Sequence, residues 1–317
     1  MVILLTGAAG FIGSNVAKRL LQRGDKVIGI DNFNSYYNPK LKQARVKEFL
    51  QGYDFDIKTI DICDKGQLSE IFKHSKIDKI CHLAAQAGVR YSLENPDIYI
   101  QTNIVGTHNL LELAKEYRVG DFIFASSSSV YGGNKKVPFS ETDLVDNPVS
   151  LYAATKKINE LQAYTYHHLY GMNCWGLRFF TVYGPWGRPD MALFKFTKAI
   201  LNDQPIDIYN NGQHQRDFTY VDDIVDGVLA AIDKCGGYEI FNLGNNKPVE
   251  LEYFIKIIEN NLGKAANKNY LPLQTGDVVG TWADIQKAKN ILSYNPKISI
   301  EEGIKRFVDW YKQYPDF

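Results

Sequence analysis

A doubly wound α/β fold on a parallel sheet is what this 317-residue sequence predicts, and three observations predict it. Short β-rich runs alternate with helix-length segments through the first half of the chain. These runs are apolar almost throughout rather than alternating, the pattern of strands covered on both faces. Three glycines, Gly7, Gly10 and Gly13, follow directly on the first run, where such a fold turns from strand into helix.

In chain order, residues 2–5, 26–30, 55–60, 79–83, 122–125 and 173–179 read as strands. Residues 148–170 read as a long helix stopped by Gly171. After Phe180 the pattern loosens, with turns at Gly184-Pro185-Trp186-Gly187 and Asn210-Asn211-Gly212. A helix at 222–234 and a strand at 239–243 again look like the first half. The amphipathic stretch 300–311 closes a small lobe. The expected division is 1–180 as a Rossmann-type nucleotide-binding domain, to which 218–246 returns, and 181–317 as a smaller, partly interleaved substrate domain.

Composition narrows the function. With 45% hydrophobic residues the chain has enough apolar surface for a substantial core. Lys plus Arg equals Asp plus Glu at 36 each, so no long-range field gathers it onto nucleic acid or an anionic membrane, and a small-molecule substrate is expected. Cys63, Cys81, Cys174 and Cys235 lack metal-ligand spacing and read as reduced thiols, with no metal site implied. No stretch reads as a secretory leader or membrane span, so a cytoplasmic protein is expected. The sequence holds no internal repeat or low-complexity linker.

The glycine turn places backbone N–H groups and a helix N-terminus where a pyrophosphate would sit. Its G-x-x-G-x-x-G spacing is one residue longer than the G-x-G-x-x-G fingerprint. Asp31, ending the second strand, suits the adenosine ribose hydroxyls and would repel a 2′-phosphate, which favours NAD over NADP. Asn32 follows it, and Asp61 and Ile62 at the end of the third strand could frame the adenine.

Tyr152 and Lys156 lie four apart on one helix face. An ammonium near the phenol stabilises phenolate, so the pair is expected to draw the tyrosine pKa down from about 10 and make Tyr152 a general base and acid. Ser126 to Ser129 end the fifth strand, where ligands bind in open α/β sheets.

Together these stretches resemble the extended short-chain dehydrogenase/reductase superfamily across essentially the whole chain. The resemblance is carried by Thr6-Gly7, Gly10-Phe11-Ile12-Gly13, His82-Leu83-Ala84-Ala85, Asn103, the serine run, Tyr152 with Lys156, and Arg216-Asp217-Phe218. Within it the chain is similar to the nucleotide-sugar epimerases, in particular the UDP-glucuronate 4-epimerases, through residues 31–37, 85–92 and 178–192. The resemblance implies tightly held NAD, bound by Gly7, Gly10, Phe11, Ile12, Gly13, Asp31, Asn32, Asp61, Ile62, Leu83, Ala84, Ala85, Asn103, Tyr152 and Lys156. It makes Ser127, Tyr152 and Lys156 catalytic. It assigns Arg216 to the UDP diphosphate, Asp277 to the uridine ribose and Tyr209 to the neighbourhood of uracil. A homodimer through helices around 101–117 and 151–170 is implied as well.

On that reading a UDP-sugar is oxidised at C4 and reduced again on its other face. A uronate would pass through a β-keto acid prone to lose carbon dioxide, and Arg90, Ser128, Thr181 and Arg188 are the candidates for holding its carboxylate. Related decarboxylases would carry a glutamate in the serine run and 4,6-dehydratases an Asp-Glu pair beside it; neither is present. A UDP-glucose 4-epimerase would show asparagine at Thr181 and arginine at Gln274. That enzyme, and a non-catalytic nucleotide sensor, are the alternatives; the intact Tyr152 and Lys156 argue against the sensor.

Overall fold

The computed structural model describes residues 1–55, 57–273, 280–315 and 317. Its strands are β1 Val2–Thr6, β2 Lys26–Asp31, β3 Ile57–Thr59, β4 Lys79–His82, β5 Asp121–Ser127, β6 Asn173–Phe179, β7 Thr181–Tyr183, β8 Pro205–Ile208, β9 Gln215–Tyr220, β10 Tyr238–Leu243, β11 Pro248–Glu250, β12 Asn267–Tyr270 and β13 Gly280–Thr281. Seven of these form one parallel sheet in the order β3-β2-β1-β4-β5-β6-β10. The strand order reverses between β1 and β4, which opens a crevice beyond their carboxyl ends.

The apolar runs have a direct explanation. Ile3 and Leu5 point into one hydrophobic cluster and Leu4 into another, all fully buried, so β1 has no face left for water. The expected third strand shrinks most, to Ile57–Thr59. Phe55 instead lays its ring beside Gly29 of β2, where a Cβ would stand 2.5 Å from it. The helix expected at 148–170 runs Leu151–Tyr170. Ser150 caps it, its side chain accepting from the Ala153 N–H at 3.1 Å, and Gly171 ends it at φ 68°.

In the second half, β9 pairs with β7 and β13 in parallel and with β11 antiparallel, while β8 pairs with β12. Stacked Phe218 and Phe254 rings, 4.2 Å apart, and the Phe194, Phe307 and Trp310 cluster fill this lobe. Among the described residues, no helix is long and apolar enough to cross a membrane. All four cysteines are free.

Candidate active site

The crevice is a cavity of about 880 Å³ whose floor is the carboxyl end of the parallel sheet and whose roof is the second lobe. At one end lies the glycine turn. Gly7 adopts φ 70°, and a Cβ on Gly13 would stand 2.0 Å from the Gly7 carbonyl oxygen, so neither position has room for a side chain. The helix that follows, Phe11–Gln22, has no side-chain cap and no acidic residue in its first turn. Its first N–H groups, at the cavity wall, are therefore suited to an anion.

Asp31 is buried beside this turn and accepts from the Phe33 N–H at 2.8 Å and the Ala9 N–H at 3.2 Å. Lys42, a residue sequence reasoning missed, reaches within 3.5 Å of Asp31 and donates to Asn34 Oδ1 at 2.9 Å. Its signal was weak, one of three lysines on the helix Pro39–Leu50.

At the other end, Tyr152 and Lys156 line the wall with Ser127 and Ser128. Lys156 Nζ donates to the Ala125 carbonyl at 2.8 Å, fixing the helix to the end of β5. Burial draws the Lys156 ammonium down to about 8. The Tyr152 phenol moves opposite to the sequence expectation. Burial pushes its pKa up, and the Ser127 hydrogen bond and the Arg188 charge recover only part of that rise.

Behind this wall His82 is buried and held neutral, its pKa drawn to about 3 by burial and then by Lys156. The polar chain around it fixes its tautomer. Thr107 Oγ1 donates to the Asn103 carbonyl at 2.6 Å, so it accepts from His82 Nε2 at 2.9 Å, and Nδ1 accepts from Thr6 Oγ1 at 2.7 Å.

Gly7, Gly10, Phe11, Ile12, Gly13, Asp31, Asn32, Ile62, Leu83, Ala84, Ala85, Arg90, Ser127, Ser128, Tyr152, Lys156, Thr181, Arg188, Tyr209 and Arg216 all meet on this one cavity. Arg90 lies over the Tyr209 ring at 4.9 Å, joining a loop after β4 to the second lobe. Two expected cofactor residues do not line it. Asp61 is occupied by the Cys63 N–H at 2.8 Å and Asn32 Nδ2 at 2.9 Å, and so steadies Asn32, which does line it. Asn103 is buried in a π-helical turn, Ile100–Val105, bonding the Gln86 backbone and Thr155 Oγ1. It ties the loop after β4 to the helix Leu151–Tyr170 and does not line the cavity. Asp277 and Gln274 lie outside the described residues.

The uncapped glycine turn, the buried carboxylate of Asp31 beside it and the Tyr152–Lys156 pair on one wall agree with what sequence comparison finds. The model of the NAD-dependent epimerase/dehydratase family matches residues 3–244. The chain belongs to this family. Members similar to it include a UDP-glucuronate 4-epimerase of Thermodesulfobacterium geofontis, 50% identical with 98% of this chain and 96% of that protein aligned. UDP-glucuronate 4-epimerase 1 of Arabidopsis thaliana is 48% identical over 98% of this chain and 77% of its own. Among solved structures, a UDP-glucuronic acid 4-epimerase from Bacillus cereus, in complex with UDP-glucuronic acid and NAD, superposes with a TM-score of 0.93 at 37% identity, covering 99% and 100% of the two chains. A UDP-glucose 4-epimerase from Thermotoga maritima with UDP-glucose reaches 0.91 at 33%, covering 99% and 100%.

Asp31→Ala is expected to weaken NAD binding by about tenfold to a hundredfold, the loss of hydrogen bonds to a charged group. It should also let NADP compete, because Lys42 would then meet a 2′-phosphate with no opposing carboxylate. Titrating the cofactor-stripped protein with each dinucleotide checks both effects.

Proposed function

We propose that the chain interconverts UDP-glucuronate and UDP-galacturonate, with NAD held at the glycine turn. The observation that carries the uronate reading is the set facing the Tyr152 end of the cavity. Ser128, Thr181 and Arg188 supply two hydroxyls and a cation, a group suited to a carboxylate. The relatives and the Bacillus cereus structure support the same substrate.

The cavity residues fit the cofactor: the tight turn at Gly7 and Gly13 has no room for side chains and brings bare backbone to the cavity, Phe11, Ile12 and Gly13 offer N–H groups, and Asp31 and Asn32 suit the ribose. When bound, NAD supplies reversible hydride acceptance at the sugar C4. The chain's own work is proton transfer and orientation. Tyr152 takes the proton of the 4-hydroxyl, Ser127 bridges the two oxygens, and the Lys156 charge favours the phenolate. The resulting 4-keto sugar presents its second face after swinging about its diphosphate, which Arg216 holds. Tyr152 then returns the proton, with no net redox change. Tyr209 stands on the nucleotide side, where Arg90, first expected at the carboxylate, lies over its ring and is reassigned, and Asp277 is assigned to the ribose.

We propose the same division of labour for the chain, 1–180 with 218–246 for the cofactor and 181–317 for the UDP-sugar. Leu161, Tyr164 and Leu169 are more than half exposed along the catalytic helix, which supports a homodimer through this face. Four free thiols fit a cytoplasmic location.

The purified protein, incubated with UDP-glucuronate and no added NAD, is expected to accumulate UDP-galacturonate by proton NMR without releasing carbon dioxide. A pentose product with gas would sink the proposal in favour of decarboxylation. The likeness to the Thermotoga maritima enzyme makes UDP-glucose the second substrate to try, and the uronate reading requires faster turnover of UDP-glucuronate.

A further inference from the structure

Arg188 is not alone in the cavity wall. Asp190, two residues on, accepts from its Nε at 3.0 Å and from Nη2 at 2.5 Å, the paired geometry of a carboxylate on a guanidinium edge. Tyr36, from the loop after β2, donates to Asp190 Oδ2 at 3.0 Å, and the guanidinium stands 5.9 Å from the Tyr36 ring centre. Tyr36 is itself wedged. Its ring lies 4.8 Å from Tyr91, and its hydroxyl occupies the space a Cβ on Gly88 would need, 2.4 Å away. Burial and then Asp190 push the Tyr36 phenol up to about 12, so it remains a donor. Burial opposes the Asp190 anion, but Arg188 outweighs it and keeps the carboxyl below its ordinary value. The guanidinium's Nη1 has no hydrogen-bond partner among the described residues, and Arg188, Asp190 and Tyr36 all line the cavity.

A guanidinium gripped along one edge and flanked by a ring has its plane fixed, and a second carboxylate can use only what remains. In the 4-keto uronate, loss of carbon dioxide breaks the C5–C6 bond. Its electron pair moves into the C4 carbonyl as an enolate, carbon dioxide departs and a proton returns to C5, with no change of oxidation state overall. That electron flow needs the C5–C6 bond aligned with the carbonyl π system. A carboxylate held by a fixed cation cannot swing into that alignment, whereas one held by a mobile cation can.

We propose that Asp190, fixed by Tyr36, is the positioning residue that holds Arg188 and thereby keeps the uronate intermediate from losing carbon dioxide. It rests on the uronate reading above. Asp190 acts through Arg188 and needs no contact with the reacting atoms.

The test uses NAD-loaded Asp190→Asn and Tyr36→Phe with UDP-glucuronate, and measures carbon dioxide plus UDP-pentose as a fraction of all product. The fraction is expected to rise at least tenfold in Asp190→Asn and less, in the same direction, in Tyr36→Phe. A purely structural role would lower total turnover and leave the fraction at the wild-type value, and that result overturns the proposal. Should Asp190→Asn not fold, Tyr36→Phe removes a single hydroxyl and decides on the same criterion. A wild-type protein that does not epimerise UDP-glucuronate would overturn the uronate reading and this proposal together. An active wild type with unchanged partition in the variants overturns this proposal alone.

Discussion

Tyr152→Phe is expected to lower turnover by about 10²- to 10⁴-fold, the range associated with loss of a positioned general acid–base group, while the protein keeps its NAD. The substitution removes one oxygen and leaves the ring, its 6.1 Å edge contact with Tyr99, and the Ser150 cap that starts the helix. The glycine turn, proposed above to hold the cofactor's pyrophosphate, lies at the far end of the cavity and is untouched. Absorbance and bound-nucleotide content of the purified variant, alongside its rate, check both halves of the claim. The pH profile carries a second check. Burial raises the Tyr152 pKa, so activity should fall toward low pH as the phenolate is lost. Burial draws the Lys156 ammonium down to about 8, so if its charge has the role proposed above, activity should also fall above that value. A variant with near-normal turnover, or one that loses NAD with its activity, contradicts the role assigned to Tyr152.

The legible parts of this molecule are those whose sequence signal is local. β1 reads as doubly covered because Ile3, Leu4 and Leu5 serve two clusters at once, and Gly13 is required by its close approach to the Gly7 carbonyl six residues earlier, although the room denied at Gly7 is taken by the distant Leu83–Ala84 backbone. Tyr152 and Lys156 share a helix face, and their spacing, a common accident by itself, announces the pair because it follows the glycine turn. Where the reading fell short, the cause lies in contacts between distant segments. Phe55 lies outside the third strand, its N–H on the Tyr53 carbonyl at 2.8 Å and its ring beside Gly29, contacts that no run of apolar residues can reveal. Asp61 and Asn103 belong to the right motifs but stand one layer behind the cavity, holding Asn32 and Thr155. Lys42 stands alone, and Tyr36 and Asp190 sit in the stretches 31–37 and 178–192 that carried the resemblance, yet what each does shows only when the fold brings them to one wall. The direction of the Tyr152 shift was also out of reach, since spacing shows a neighbouring ammonium but not how far both groups are buried.

Glu160→Ala is expected to cost about 3–5 kcal/mol of stability, because it strands a buried charge. Glu160 and Arg178 are each nearly inaccessible to solvent and are joined by two bonds of 2.8 Å, Nε to Oε1 and Nη2 to Oε2. Ser126 Oγ also donates to Glu160 Oε1 at 2.6 Å, and Arg178 Nη1 donates to the Tyr131 hydroxyl at 3.0 Å. Without Glu160 the guanidinium keeps only the tyrosine as a partner and cannot reach water. Removing both charges as Glu160→Met with Arg178→Met should recover part of the loss, since apolar replacement of a whole buried pair is often neutral. Full recovery is not expected, because the Ser126 hydroxyl then lacks its acceptor. Denaturant midpoints of the two variants against wild type measure this. The pair also bears on activity: Glu160 lies one turn beyond Lys156 on the catalytic helix, and Ser126 precedes Ser127 on β5. The bond between Glu160 and Ser126 therefore pins the tyrosine helix to the serine strand. Glu160→Ala, assayed well below its melting temperature, should lose turnover even while folded, and the loss should fall on kcat rather than KM.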